Sequence, residues 1–281
     1  SFCTLLGATM SAPTIKGEKQ EVKNGLFAIT ADAEQGKLIA FWNSTKDLQF
    51  NMTYQFLEPQ VTALGETQSQ DDKYAVVVYP GETKEFVTGK WKAYKRSFSF
   101  GAPDKAWVEK QAAQLNEGVE AEVAAVKAAV KANPKADGKY TAEYIASVCE
   151  AAGVPFVDLT YAPKPQAISR EWEGAAPGFA WMRPSAYCTD PSKPPCLFVG
   201  DIEPNDIDQG RLGNCYFLCA LACISEFPDV IKECFNQPQN SELGVYRVRI
   251  CKNGWWQIVT LDDLLPTERN VPVYAKNREE P

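Results

Sequence analysis

The spacing of apolar residues changes near residue 104, and this change separates two kinds of secondary structure. Up to about residue 100 the apolar residues alternate with polar ones, most strictly from Leu48 to Phe56, where every even position is apolar. Side chains of a strand point alternately to its two faces, so such alternation indicates a strand with one face against a core. We therefore predict a strand over residues 48–56.

Other short apolar runs surround this strand, and turn residues such as Asn24-Gly25 separate them. The runs lie at residues 25–30, 37–42, 73–79, 84–88 and 91–100. Short strands divided by turns rich in glycine and proline are typical of β-sandwiches and barrels. The sequence therefore predicts a β-sandwich or barrel-like domain over residues 13–103, preceded by a disordered tail at residues 1–12.

From residue 104 to residue 133 the apolar positions recur at helical spacing. One stripe is formed by Trp107, Val108, Leu115, Val119, Val123, Val126 and Val130. This pattern predicts a long amphipathic helix that Pro134 ends, followed by a second helix over residues 141–152 that ends at Gly153. We assign residues 104–153 to a helical connector, whose charged face is either solvated or docks a partner.

The segment 154–197 is rich in proline and glycine but also carries aromatic side chains. These are Phe156, Trp172, Phe179 and Trp181. Because free linkers seldom contain so many aromatic residues, we predict that this extended segment wraps a surface.

Regular structure is predicted again further along the chain. A helix is expected from Cys215 to about Phe227, and Pro228 is expected to begin a short second helix. Residues 244–263 contain two apolar runs joined by Asn253-Gly254, which is the strongest short signal for a β-hairpin.

Composition excludes several classes of protein. The chain has 281 residues, 45% of them hydrophobic and 11% aromatic, which indicates a folded protein with the length of two domains. Its net charge of −7 argues against nucleic acid as a partner, because phosphate binding needs a basic surface. No apolar run approaches the roughly 20 residues that span a bilayer.

The N-terminal stretch SFCTLLGATMSAPT bears on contact with membranes. It contains neither a Met-Gly acylation motif nor an apolar segment long enough for a signal peptide. We expect membrane contact only if upstream residues have been removed and Cys3 is acylated, the alternative being an unmodified tail.

The 9 cysteines form no CxxC pair and no regular disulfide spacing, which indicates a reducing, cytosolic compartment. Three of them, Cys215, Cys219 and Cys223, lie on one face of a predicted helix. A zinc site would need further thiols or histidines, so we predict small buried residues on a core-facing stripe. A thiol redox sensor that uses Cys215 and Cys219 is the alternative.

The stretch QGRLGNCYFLCALA at residues 209–222 places Cys215 at the start of a helix. The first turn of a helix offers unpaired N–H groups and the positive end of the dipole, which favour a reactive thiolate. Gln209 can supply an amide donor to an oxyanion, and Gly210 and Gly213 allow the backbone to approach a substrate closely. From spacing alone, a nucleophile and a buried cysteine both remain open.

This stretch resembles the Gln-Gly-x-Leu-Gly-Asp-Cys-Trp signature of the calpains, which are papain-like cysteine proteases. WMRPS at residues 181–185, FVGDIEPNDIDQG and GWWQIVTLDDLLPT at residues 254–267 resemble further calpain segments. Residues 13–103 are similar to the small β domain of kinetoplastid calpain-related proteins. The resemblance implies a multidomain α+β protein in which residues 154–281 form the incomplete first half of a papain-like calpain core.

Site residues follow from the resemblance position by position. Cys215 occupies the nucleophile position and Gln209 the oxyanion-hole position. Asp206 matches a calcium-ligating aspartate, while Val199 and Asp201 fall where the same site uses backbone carbonyls. Asp201 stands in place of a usual glycine. Calcium is therefore the one cofactor that the resemblance implies.

Several features depart from the calpain pattern. Asn214 and Tyr216 stand beside Cys215 where the signature has Asp and Trp. The chain also contains 0 histidines, although calpains take a catalytic His and Asn from the second half of their core. The resemblance thus implies a cytoplasmic, calpain-like interaction protein without peptidase activity, bound to a cytoskeletal partner such as microtubules. The alternative is the N-terminal part of an active, calcium-dependent cysteine endopeptidase.

Overall fold

The computed structural model describes residues 12–57, 59–164, 167, 179–188, 192, 194–198, 200–235 and 241–277. The chain forms two compact units, of which one spans Ala8–Val108 and the other contains Glu109–Pro281. We call them the β unit and the mixed unit. Residues 1–11 of the predicted tail, among them Cys3, and Trp172 lie outside the described residues.

The β unit consists of two antiparallel sheets. Its strands are β1 (Glu18–Lys23), β2 (Leu26–Ala33), β3 (Gly36–Asn43), β4 (Gln49–Leu57), β5 (Gln60–Ala63), β6 (Gln68–Gln70), β7 (Lys73–Val78), β8 (Thr83–Lys90) and β9 (Ala93–Gly101). The five-stranded sheet has the order β1-β2-β3-β8-β5, and the four-stranded sheet has the order β6-β7-β4-β9.

Side chains from both sheets share one core, which confirms the predicted sandwich. The alternation along β4 buries Phe50, Met52, Tyr54 and Phe56 and leaves the intervening residues more exposed. Across the core, Tyr54 of β4 meets Phe86 of β8 with ring centroids 5.2 Å apart. Aromatic pairs at this distance add stability beyond the area that they bury.

The mixed unit contains helices and several small sheets. Its helices are α1 (Lys105–Ala132), which begins in the β unit, α2 (Ala142–Ala152), α3 (Pro184–Tyr187), α4 (Cys215–Ser225) and α5 (Pro228–Glu233). Its strands are β10 (Phe179–Met182), β11 (Ile207–Asp208), β12 (Tyr246–Lys252), β13 (Trp255–Leu261), β14 (Leu265–Glu268), β15 (Val271–Pro272) and β16 (Lys276–Asn277). They pair as β10-β14-β15, β11-β16 and β12-β13.

The helices α1 and α2 belong to the core of the mixed unit. Val126 of α1 and Ile145 of α2 are buried in one cluster with Phe156, Val245 and Leu264. Thr141 caps α2, and Gly153 ends it in the left-handed conformation. The residues assigned to a connector thus form one layer of a folded unit with the segments that follow them.

Two arginines reinforce this layer. Arg183 donates hydrogen bonds to Glu122 of α1 at 2.6 Å, to the carbonyl oxygen of Phe156 at 2.9 Å and to Asp263. Arg247 of β12 binds Glu143 and Glu150 of α2. Glu150 accepts from two N–H groups of Arg247, the paired geometry in which guanidinium binds carboxylate best, whereas both oxygens of Glu143 accept from the Nε–H alone.

No helix within the described ranges is both long enough and apolar enough to cross a membrane.

Candidate functional site

A tight loop leads into α4. After a 3₁₀ turn at Pro204–Asp206, β11 pairs with β16, and the chain then turns at Gly210 with φ of +67°. A Cβ at Gly210 would lie 2.5 Å from the carbonyl oxygen of Val273 and 2.6 Å from that of Tyr274. Only glycine fits this contact, so Gly210 brings the loop against the chain's own backbone.

Cys215 is the first residue of α4, and its side chain is exposed. The preceding Asn214 occupies the N-cap position but makes no side-chain capping bond. Its Oδ1 is buried without a hydrogen-bond partner among the residues that the structure describes. Because a native buried polar atom nearly always has a partner, Asn214 marks an unsatisfied acceptor directly beside the thiol.

Gln209 lies in the same loop. Its Nε2 donates to the carbonyl oxygen of Leu212 at 2.6 Å, which holds the amide within the segment that ends at Cys215. An amide nitrogen carries two donors, so one remains for a ligand. The structure therefore places both predicted catalytic positions in one loop–helix junction, with an exposed thiol and an amide donor.

The predicted burial of the cysteine stripe is wrong. Cys215, Cys219 and Cys223 are all exposed. The physical reason is that α4 buries only Leu218 and Ser225, and no described segment covers the face that carries the thiols. Helical spacing predicted the shared face correctly, but it does not specify which face packs.

Apolar side chains around Cys215 are also exposed. Tyr216 is 79% exposed, Phe217 53% and Phe227 65%. Tyr216 and Phe217 lie in the first turn of α4, and Phe227 lies between α4 and α5. Isolated exposed apolar residues are ordinary, but neighbouring ones are typical of an interface.

The residues assigned to calcium are described only in part, and the calcium site stays a prediction. Asp206 accepts a 2.9 Å hydrogen bond from the backbone N–H of Glu203 and so closes a capping box. Asp201 is exposed, and Val199 lies outside the described residues. Calcium takes about 6–8 oxygen ligands, whereas no group of three or more His, Cys, Asp or Glu side chains gathers in the described ranges.

Sequence reasoning missed the structural use of the two aspartates after β13. Asp262 accepts hydrogen bonds from the N–H of Asp158 at 2.8 Å and of Leu264 at 3.1 Å. Asp263 pairs with Arg183. Burial raises the pKa of both carboxyl groups, since an apolar surrounding disfavours the charged form. Their signal in the sequence was a pair of acidic residues directly after an apolar strand.

Comparison with known proteins finds a similar family for each of the two parts of the chain. Residues 156–281 match the calpain family cysteine proteases, and residues 8–102 match a domain of unknown function, DUF1935. The calpain-type cysteine protease DEK1 of Arabidopsis thaliana is 41% identical over 102 residues, which cover 35% of this chain and 5% of that protein. Calpain-5 of Caenorhabditis elegans is 30% identical over 141 residues, covering 48% of this chain and 21% of that protein.

Residues 156–281 are therefore similar to the calpain family cysteine proteases. Calpains in general are regulated by calcium. The chain spans only a small part of these relatives, 5% of the plant protein and 21% of the nematode protein.

Two solved structures from Leishmania major are also similar. One, a hypothetical protein, is 29% identical with a TM-score of 0.30 and covers 33% of this chain and 89% of that chain. The other is the NMR structure of SMP-1 (Small Myristoylated Protein), which is 24% identical with a TM-score of 0.32 and covers 40% of this chain and 91% of that chain.

Proposed function

We propose that these 281 residues act as a calpain-like interaction protein in which Cys215 occupies the nucleophile position without cleaving peptide bonds. The carrying observation is the absence of histidine from the whole sequence. In the part of the chain that the structure describes, Cys215 is a free, exposed cysteine with no hydrogen bond to its Sγ, which supports the proposal.

The missing base affects two proton transfers in peptide-bond cleavage. A cysteine protease uses its base to hold the thiol proton and then returns that proton to the amine that leaves. Without this group the reaction loses general acid–base catalysis, which typically contributes about 10²–10⁴ in rate. An amide is affected most, because its nitrogen leaves only after protonation.

The second candidate function is that of a cysteine endopeptidase whose base comes from another polypeptide segment. The exposed apolar residues near Cys215 favour it, since Tyr216 and Phe217 offer a surface for such a segment. Cys215 would then be the nucleophile and Gln209 the oxyanion donor.

Hydrolysis of a fluorogenic peptide by the full chain and by Cys215→Ala separates the two candidates. We expect equal rates, with and without calcium. A rate that depends on Cys215 would contradict the binding role. The same comparison in the presence of a candidate partner tests the second function, because only a completed site gives turnover that the Cys215→Ala variant lacks.

The cellular role is proposed from the resemblance. We propose that residues 13–103 are a β domain of the kinetoplastid calpain type and that the protein binds the cytoskeleton in the cytoplasm. Co-sedimentation with polymerised microtubules tests this role, with tubulin dimers as the control. Retention of the protein in the supernatant at every microtubule concentration would contradict it.

A further inference from the structure

The end of the β12–β13 hairpin is exposed on both of its faces. Every residue from Arg249 to Ile258 is exposed, and Asn253 and Gly254 form the turn with φ of +53° and +81°. We call residues 249–258 the hairpin tip. Directly opposed residues of a strand pair have their side chains on the same face, so the register of β12 with β13 assigns each residue of the hairpin tip to a face.

The two faces of the hairpin tip are alike, since each carries one tryptophan, one isoleucine and one cation. The first face presents Ile250, Lys252 and Trp255, and the second presents Arg249, Trp256 and Ile258. Trp255 is 79% exposed, Trp256 57% and Ile258 55%. A protein surface that packs on one face of a hairpin leaves the other face in water. Apolar side chains on both faces therefore favour an environment that surrounds the hairpin tip.

Two cations lie toward the turn of the hairpin. Lys252 belongs to the residue pair that closes the turn. The guanidinium carbon of Arg249 lies 4.4 Å from the ring centroid of Trp256, whose position in the register is two residues closer to the turn than that of Arg249. Among the described residues neither cation forms an ion pair with a carboxylate, including Glu233, which precedes the Cys234 whose carbonyl oxygen binds the backbone N–H of Arg249.

The carboxylates that the hairpin does bind are set back from its tip. Glu143 and Glu150 bind Arg247, which is five positions from Lys252 along β12. At a rise of about 3.4 Å per residue this separation is about 17 Å, roughly twice the screening length of about 8 Å in physiological salt. Residues 249–258 contain no acidic side chain. The hairpin tip therefore presents positive charge locally, although the net charge of the chain is −7.

We propose that the hairpin tip docks on an anionic membrane surface and enters its headgroup layer. Tryptophan is enriched at this level of a bilayer, because its ring is apolar while its N–H donates to polar groups. The negative potential of anionic lipids attracts Arg249 and Lys252. The headgroup layer surrounds the hairpin tip, so both of its faces leave water together. This contact is peripheral, needs no acyl group on Cys3 and is separate from the proposed cytoskeletal role.

Flotation of the full chain, produced without an acyl group, with vesicles of phosphatidylcholine and phosphatidylserine tests the proposal. We expect binding that weakens as salt is added and that is absent with phosphatidylcholine alone. Arg249→Gln combined with Lys252→Gln should weaken binding about 30-fold, since each basic residue near an anionic surface contributes about fivefold. Lys127→Gln is the matched control, because Lys127 is an exposed lysine of α1, and it should leave binding unchanged.

The tryptophans give a second, independent test. Trp255→Ser combined with Trp256→Ser should abolish binding at a lipid concentration where half of the unchanged chain floats. Tyr216→Ser is the matched control, because Tyr216 is also 79% exposed but lies on α4, and it should bind as the unchanged chain does. Circular dichroism confirms that each variant is folded.

Three results would overturn the proposal. Absence of binding to the anionic vesicles would assign the hairpin tip to a partner other than a membrane. Equal binding to vesicles of phosphatidylcholine alone would contradict the role of the two cations. Binding that survives the replacement of both tryptophans would show that another part of the chain contacts the membrane.

Discussion

Arg183 donates a 2.9 Å hydrogen bond to the carbonyl oxygen of Phe156. The same guanidinium binds Glu122 of α1 and Asp263, although its side chain is only 13% exposed. A charge removed from water in this way needs hydrogen-bonded partners, and here three separate segments supply them. Arg183 therefore links α1 to Phe156, which follows α2, and to Asp263, which lies between β13 and β14.

Removal of this side chain should destabilise the mixed unit strongly. Arg183→Ala leaves Asp263 buried without its cation, for which losses of about 3–5 kcal/mol are typical. Calorimetry of the full chain measures the change. Lys135→Ala is the control, because its pair with Asp137 is much less buried, with side chains 34% and 52% exposed, and surface pairs contribute about 0–1 kcal/mol. Equal effects of the two substitutions would contradict the structural role of Arg183.

The loop before α4 should tolerate a methyl group at one glycine and not at the other. Gly210→Ala places Cβ against two carbonyl oxygens at positive φ, whereas a Cβ at Gly213 meets nothing within 4 Å. We expect Gly210→Ala to destabilise the chain by at least about 1–2 kcal/mol, the cost of left-handed backbone for a side chain. Chemical denaturation checks this value, and similar midpoints for both variants would argue against the close contact.

Cysteine reactivity should divide into two groups. Cys215, Cys219 and Cys223 are exposed and should react rapidly with iodoacetamide. Cys149 is buried, and this burial raises the pKa of its thiol, so it should react only when the unit opens. Timed labelling followed by peptide mass spectrometry measures the rates. Protection of Cys219 and Cys223 to the level of Cys149 would show that α4 is covered in solution.

The pair of Arg247 and Glu143 should make stability depend on pH. Hydrogen bonds from Arg247 lower the pKa of Glu143, so the folded chain favours the carboxylate more than the unfolded chain does. This contribution is present above the usual glutamate value and is lost as the pH falls through the lowered value. We expect Glu143→Gln to reduce stability near neutral pH and to match the unchanged chain in strong acid. Urea unfolding at several pH values measures the free energy of unfolding of both chains. A difference between them that does not change with pH would contradict this prediction.

Local patterns predicted the fold well where each element is set by its own residues. The alternation along β4, the stripe of α1 and the Asn253-Gly254 turn all appear as expected. In the β unit, the strands β1, β5 and β6 were missed, because Glu18–Lys23, Gln60–Ala63 and Gln68–Gln70 are short and mostly polar and lie in edge positions.

The site was also predicted only where its residues belong to one continuous stretch of sequence. Cys215 and Gln209 share a continuous motif, so their placement in one junction followed from the sequence. The exposure of Cys219 depends on which segments cover α4, and the pair formed by Arg183 and Asp263 joins residues 80 positions apart. Neither relationship leaves a periodic signal in the chain.

The central claim, a nucleophile position without a proton donor, is tested most directly with a matched ester and amide. The full chain is incubated with a p-nitrophenyl ester and with the p-nitroanilide of the same acyl group, while intact mass and chromophore release are recorded. The ester needs no protonation to leave, so we predict an acyl group on Cys215, located by peptide mapping, and no Cys215-dependent release of p-nitroaniline. Sustained release of p-nitroaniline that requires Cys215 would contradict the claim.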